Sequence, residues 1–185
     1  MATLTLAPQN NWFDATKASR VKITQIDIVD SISNIDVSNA VVWDASEDKD
    51  GSVMCYVIGA QLIISGNGSG FIYANPDCYR AFRGNSTADA FSNVTIFNGL
   101  ELLDTSKATT FQAMFGYMSS MTHYYGFENW DTSNVTSMRT MFSSNTNLVE
   151  IDLNNWNTRK VENLVAMFQN CLALVRIDIS NWDTS

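Results

Sequence analysis

From Leu148 the chain reads Leu148-Val149-Glu150-Ile151-Asp152-Leu153-Asn154-Asn155-Trp156-Asn157-Thr158, and 26 residues later it reads Leu174-Val175-Arg176-Ile177-Asp178-Ile179-Ser180-Asn181-Trp182-Asp183-Thr184. Repetition at a period of 20 to 50 residues signals an architecture in which each unit is too short to bury its own apolar face and is stable only against its neighbours. Within the unit, Ile151-Asp152-Leu153 alternates apolar and polar. That alternation predicts a short strand with Ile151 and Leu153 inward and Asp152 outward, laddering in parallel with Ile177-Asp178-Ile179.

Working outward, the tetrapeptide that closes this stretch recurs as Leu103-Asp104-Thr105-Ser106, Trp130-Asp131-Thr132-Ser133, Trp156-Asn157-Thr158-Arg159 and Trp182-Asp183-Thr184-Ser185. Its acidic or amide residue, just ahead of an apolar run, is a turn or cap signal, so Asp131 and Asp183 are expected to accept backbone N–H groups. A second element follows at the same period: Phe111-x-x-Met114-Phe115, Met138-x-x-Met141-Phe142 and Leu164-x-x-Met167-Phe168. Apolar residues at i, i+3 and i+4 make one face of a helical turn, which predicts short helices over 138–142 and 164–168. Phe115, Phe142 and Phe168 share one slot and are expected to form a buried column. A third slot holds Met121, Leu148 and Leu174, followed three residues on by Tyr124, Ile151 and Ile177, and extension backwards puts Val94 and Phe97 in the same pair. The sum is a β-rich repeat protein, a short solenoid with one strand and one short helix per coil.

The first half reads as strands around Ile26–Ile28, Val41–Trp43, Ser52–Ile58 and Gln61–Ser65, with Glu47–Gly51 and Gly66–Gly70 as hairpin connections. Three regions are expected: an N-terminal arm over 1–20, a β-rich region over 21–93 that caps the stack, and the solenoid over 94–185, truncated in mid-repeat.

The run from Leu148 to Cys171 resembles the BspA-like leucine-rich repeat surface proteins of bacteria, with Val135 and Val161 in that family's valine slot and Cys171 in its cysteine slot. Met118 and Asn145 depart from the cysteine, and Ala108 from the valine. The resemblance covers roughly residues 94–185, and Asp50–Met54, Gly66–Gly70 and Ala74–Asp77 are similar to the segment that precedes such repeats. It implies a leucine-rich-repeat-like solenoid and adhesion at a bacterial surface.

Composition narrows the function. The 185 residues carry 11 basic and 19 acidic side chains for a net charge of −8, so a nucleic acid or an anionic membrane is not the expected partner. Apolar residues make up 45% and charged ones 16%; Asn, Ser and Thr together number 54, a β-rich or repeat surface rather than a helical bundle. No run approaches the roughly 20 apolar residues of a membrane helix. The first residues lack the basic and continuous apolar regions of an export signal, which makes a phage particle the alternative placement to a bacterial surface.

Chemistry-bearing motifs are sparse. Cys55, Cys78 and Cys171 have neither disulfide nor metal spacing and read as buried small hydrophobes. Asp48-x-Asp50-Gly51 has alternate carboxylates before a glycine, but Val57 stands where a calcium loop needs its bidentate glutamate. Gly66-x-Gly68-x-Gly70 is followed by the strand-like Phe71-Ile72-Tyr73 rather than by a helix that could hold phosphate. His123, the one histidine, has no nucleophile motif beside it. No enzyme activity, metal or cofactor is expected. The tryptophans at 130, 156 and 182 either stack inside beside the turn or form an exposed strip suited to sugars. Positions that differ between repeats are better candidates for partner contact: Tyr117, His123, Tyr125, Glu150 and Arg176. The expected role is a surface-exposed recognition or adhesion module for a protein or glycan partner. The alternative is an assembly subunit, a virion fibre or decoration protein, that associates with itself through an uncapped C-terminal coil exposing Ile177 and Ile179.

Overall fold

The alternating apolar residues of the first half pair as their pattern demands. The structure, a computed structural model, describes residues 11–83 and 86–183. Strands β1 (Gln25–Val29), β2 (Val41–Asp44), β3 (Met54–Ile58), β4 (Gln61–Ser65) and β6 (Ile96–Asn98) form one mixed sheet in the order β2-β3-β4-β1-β6. The β2, β3 and β4 segment is an antiparallel meander, whereas β1 runs parallel to both β4 and β6. The turn joining β3 to β4 is Gly59-Ala60, with Gly59 at φ 60°, a left-handed position that glycine occupies without strain. Gly66–Gly70 is not a hairpin connection: it leads from β4 to β5 (Ile72–Tyr73), which pairs in parallel with β7 (Leu103–Asp104).

Farther along, β8 (Glu150–Asp152) and β9 (Arg176–Asp178) form a two-stranded parallel ladder, with Ile151 opposite Ile177. Ile151 and Leu153 are buried and Asp152 is exposed, as the alternation predicts. Single parallel bridges link Asp77, Thr110, Ser137 and Asn163 in succession.

The expectation of a leucine-rich-repeat-like solenoid with a strand and a short helix per coil is overturned. Among the described residues there is no α-helix, and the helical pieces are 3-10 turns at Arg20–Lys22, Thr87–Asp89 and Leu100–Leu102. What the chain forms is a small β-rich protein of one mixed sheet and two short parallel ladders. Residues 138–142 and 164–168, expected to be helical, run as turns. The reason lies in the backbone. Ala113, Thr140 and Ala166 adopt φ of 57°, 53° and 57°, and Tyr117, Ser144 and Asn170 adopt 64°, 63° and 60°. Left-handed residues at these spacings interrupt a right-handed helix. Each segment instead closes i to i+3 turns, with the N–H groups of Met114, Met141 and Met167 donating to Phe111, Met138 and Leu164. Alternate N–H groups turn outward to the following repeat: Met138, Thr140, Phe142 and Ser144 donate to the carbonyls of Asn163, Val165, Met167 and Gln169. A helix would have spent those donors internally.

Side chains follow the same period. The rings of Phe82, Phe115, Phe142 and Phe168 lie nearly parallel, 5.4, 5.6 and 5.6 Å apart. The first three are buried; Phe168 is only partly covered. Trp130, Trp156 and Trp182 stack at 6.0 and 6.4 Å, and each indole N–H donates to a backbone carbonyl of the preceding repeat, Leu100, Phe127 and Leu153. Trp130 and Trp156 are interior, so the exposed-strip reading does not apply to them. The hydroxyls of Thr105, Thr132 and Thr158 donate to the carbonyls of residues 131, 157 and 183, each at 3.0 Å. Asp131 accepts the Ser133 N–H; the corresponding partner of Asp183 falls on residue 185, outside the described residues.

Residues 1–10 of the expected N-terminal arm lie outside the described residues, but Trp12 and Phe13 are buried in the core against Phe91, with Trp43 and Phe82 alongside. Arg20, also buried, reaches Asp89 at 2.8 Å. Among the described residues no helix is long and apolar enough to cross a membrane.

Candidate functional site

Parallel stacking at a fixed period brings the same outward slot of successive repeats side by side. The Val149 N–H donates to the Thr122 carbonyl, and Glu150 pairs with Arg176 across β8 and β9, so His123, Glu150 and Arg176 form a row. The Glu150 carboxylate sits between the other two, with Oε1 3.6 Å from His123 Nε2 and Oε2 3.6 Å from Arg176 Nη1. These are charge contacts longer than hydrogen bonds. All three side chains are partly or largely exposed, so the electrostatic gain is small.

Two residues beyond His123, Tyr125 projects to the same side. Its ring lies parallel to the imidazole, centroids 6.1 Å apart, and the residue is 73% exposed. Between them Tyr124 points the other way and is buried, and its hydroxyl donates to Asn145 Oδ1 at 2.6 Å. Burial pushes the Tyr124 phenol well above its ordinary range. The Asn145 amide in turn donates to the carbonyls of Phe115 and Phe142, both at 2.8 Å. One repeat later Cys171 Sγ takes the Phe142 carbonyl in its place. In the slot that Cys171 holds one repeat later, Asn145 thus supplies the acceptor for the Tyr124 hydroxyl.

Gly126 then turns the chain at φ 94°. A β-carbon there would lie 2.7 Å from the Glu101 backbone nitrogen, so only glycine lets this segment approach Glu101 so closely. The result is a cleft of about 440 Å³ with Phe127, Ile151, Leu153 and Trp156 among its lining and His123, Tyr125, Glu128, Glu150, Asp152, Asn155 and Arg176 as its polar groups.

Four of the five candidate residues, His123, Tyr125, Glu150 and Arg176, therefore meet in one cleft. Tyr117 does not. It occupies a left-handed turn, with the Arg83 guanidinium 4.5 Å above its ring. Glu128, Asp152 and Asn155 were missed by comparing repeats. The outward position of Asp152 in Ile151-Asp152-Leu153 was the signal that could have found that one.

The remaining motifs are absorbed by the fold. Asp44 accepts the N–H groups of Ser46 and Gly51, and Asp50 accepts that of Ser52, so these two carboxylates close their own loop while Asp48 stands exposed. The Gly68 and Gly70 N–H groups donate to the Asp30 carbonyl and carboxylate. Cys55 and Cys78 are buried and Cys171 partly so, and burial raises all three thiols, the opposite of what a nucleophile needs. Among the described residues no group of three or more His, Cys, Asp or Glu is placed to hold a metal ion.

Neither the curated proteins nor the solved structures contain a match to this chain. A family model described as "Mycoplasma protein of unknown function, DUF285" matches residues 85–185, more than half of the chain.

Proposed function

We propose, since this chain belongs to the DUF285 family through residues 85–185, that it is a non-enzymatic recognition module that binds a protein or glycan partner at a bacterial surface. The observation that carries the reading is the cleft at His123, Tyr125, Glu150 and Arg176. It gathers His123, Tyr125, Glu150 and Arg176, positions at which the repeats differ, beside Asp152 and Asn155, which recur one repeat later. A β-rich framework whose outward side chains vary between repeats suits recognition. The likeness of the Leu148–Cys171 pattern to BspA-like surface proteins supports an extracellular or cell-surface place, and a phage particle is the alternative setting. The net charge of −8 supports a partner other than nucleic acid.

The experiment is saturable binding of the labelled full chain to intact bacterial and host cells, read by flow cytometry. Saturation that unlabelled protein competes away is the expected result. Linear, non-competable uptake on every cell type would remove the reading.

A second reading, an assembly subunit of a fibre or virion, is favoured by one separate observation. Leu172 and Val175 are 80% and 82% exposed, and Ile177 and Ile179 are 39% and 40% exposed. Contiguous exposed apolar side chains favour association. Light scattering over a range of concentrations tests it: a defined oligomer that Val175→Lys dissociates supports assembly, and a concentration-independent monomer refutes it.

A further inference from the structure

We infer that the ligand of the cleft is a neutral saccharide, with a hexopyranose ring lying on Tyr125 and its hydroxyl groups bridging Glu150 and Arg176. The inference rests on the recognition reading above and names the chemical class of what is recognised.

Tyr125 is held out by a segment whose neighbours are fixed from below. Tyr124 is anchored on Asn145, and Gly126 is pressed against Glu101. The segment is thus held on both sides of Tyr125, whose ring stands 73% exposed. Covering a flat apolar face of this size is favourable, and a pyranose presents a flat face of C–H groups of matching size.

The polar groups then select among ligands that could lie on that platform. A sugar hydroxyl both donates and accepts, so it is best met by acceptors and donors held close together. Glu150 and Arg176 supply this. At 3.6 Å neither Glu150 oxygen is saturated by its neighbour, so both keep lone pairs for hydroxyl donors, while Arg176 keeps N–H groups for hydroxyl acceptors. Asp152, two residues along the strand on the same side, already accepts the Asn154 N–H through one oxygen and leaves the other open. A lysine- or arginine-rich peptide is the competing occupant, because Glu128 and Asp152 are acidic. Against it, Arg176 stands 3.6 Å from the central carboxylate and would oppose an incoming cation there. An anionic ligand is opposed by the three carboxylates. A neutral ligand with paired hydroxyls meets neither penalty.

The test uses the full chain. Tetrasaccharides of glucose, mannose, galactose and N-acetylglucosamine, and separately an oligolysine peptide, are titrated by calorimetry at low and high salt. The expected result is saturable binding of at least one tetrasaccharide with little dependence on salt. Tyr125→Ala should weaken it at least about tenfold, a loss of the size expected for removing a stacking contact. Tyr125→Phe should retain it within about twofold, because the platform survives. Arg176→Ala should also weaken it. Unchanged thermal unfolding of Tyr125→Ala shows that the fold is intact, as expected for an exposed side chain. The inference is overturned if no tetrasaccharide binds, if Tyr125→Ala binds as the parent does, or if the oligolysine peptide alone binds with a steep salt dependence. Cell binding that survives periodate oxidation of the surface glycans would overturn it while leaving the recognition reading in place. Absence of any saturable cell binding would remove the recognition reading itself.

Discussion

Replacing Ala166 by glycine should make the protein more stable, and the sign of that change separates the left-handed turn from the helix that the residue pattern suggests. Ala166 adopts φ 57° and is partly exposed, so its methyl group contributes little burial. Holding an L-residue with a β-carbon in this region costs about 1–2 kcal/mol, which glycine avoids. Glycine loses about 0.5–1 kcal/mol more backbone freedom on folding than alanine. The difference predicts a net stabilisation of about 0–1.5 kcal/mol, centred on ~0.8 kcal/mol. In a helix the same change would destabilise by about 0.8–1.0 kcal/mol. The two accounts thus differ in sign and by more than about 1 kcal/mol, well within the resolution of urea unfolding curves compared at equal m-value. The melting temperature should rise by about 1–4 °C in a chain of this length. Ala113 shares the conformation but is buried, so Ala113→Gly loses packing as well and is the less decisive variant. A destabilised Ala166→Gly protein would refute the turn geometry and with it the explanation of why these segments are not helical.

Three other outcomes are expected. Phe142→Ala should cost about 3–5 kcal/mol in chemical unfolding, because the ring is buried between Phe115 and Phe168, and Phe168→Ala should cost clearly less because its ring is only half covered. Tyr124→Phe should cost about 1–3 kcal/mol by thermal unfolding, since it leaves Asn145 Oδ1 buried without its donor. The Asp131 carboxyl is held below its usual range, first by the Ser133 hydroxyl and then by the Ser133 N–H, so the stability it lends is complete above the ordinary carboxylate range and is lost as pH falls through its lowered value. Asp131→Asn should therefore flatten the acid limb of a stability profile below about pH 4 and leave its slope near neutrality unchanged.

The strand faces were legible, though the solenoid was not the fold, because apolar alternation reports which side of a strand is covered. Ile26, Ile28, Ile151 and Leu153 are buried where period two puts them, and the 26-residue spacing correctly predicted parallel pairing of β8 with β9. The turns were not legible. Met138, Met141 and Phe142 point to one side both in a helix and in two successive tight turns, and neither alanine nor threonine advertises a positive φ as glycine or asparagine does. What decides between them is that the N–H groups of Thr140 and Phe142 have carbonyl partners in the following repeat, a tertiary fact. The cleft was legible at His123, Glu150 and Arg176 because they share one outward slot. Tyr117 also differs between repeats but lies at a turn outside the cleft, with the Arg83 guanidinium over its ring. The close approach of Gly126 to Glu101 has no counterpart in spacing or composition.

The central claim is that the cleft, and not some other face of the stack, makes contact with the partner. Its most direct measurement compares competable cell-surface binding of the parent chain with that of Tyr125→Ala and of Tyr117→Ala, after matched unfolding midpoints show all three to be equally folded. Both substitutions remove a tyrosine ring from the repeat region, but only the first removes it from the cleft. The account predicts that Tyr125→Ala loses most of the binding while Tyr117→Ala retains it. Equal binding by all three proteins, or loss confined to Tyr117→Ala, would contradict it.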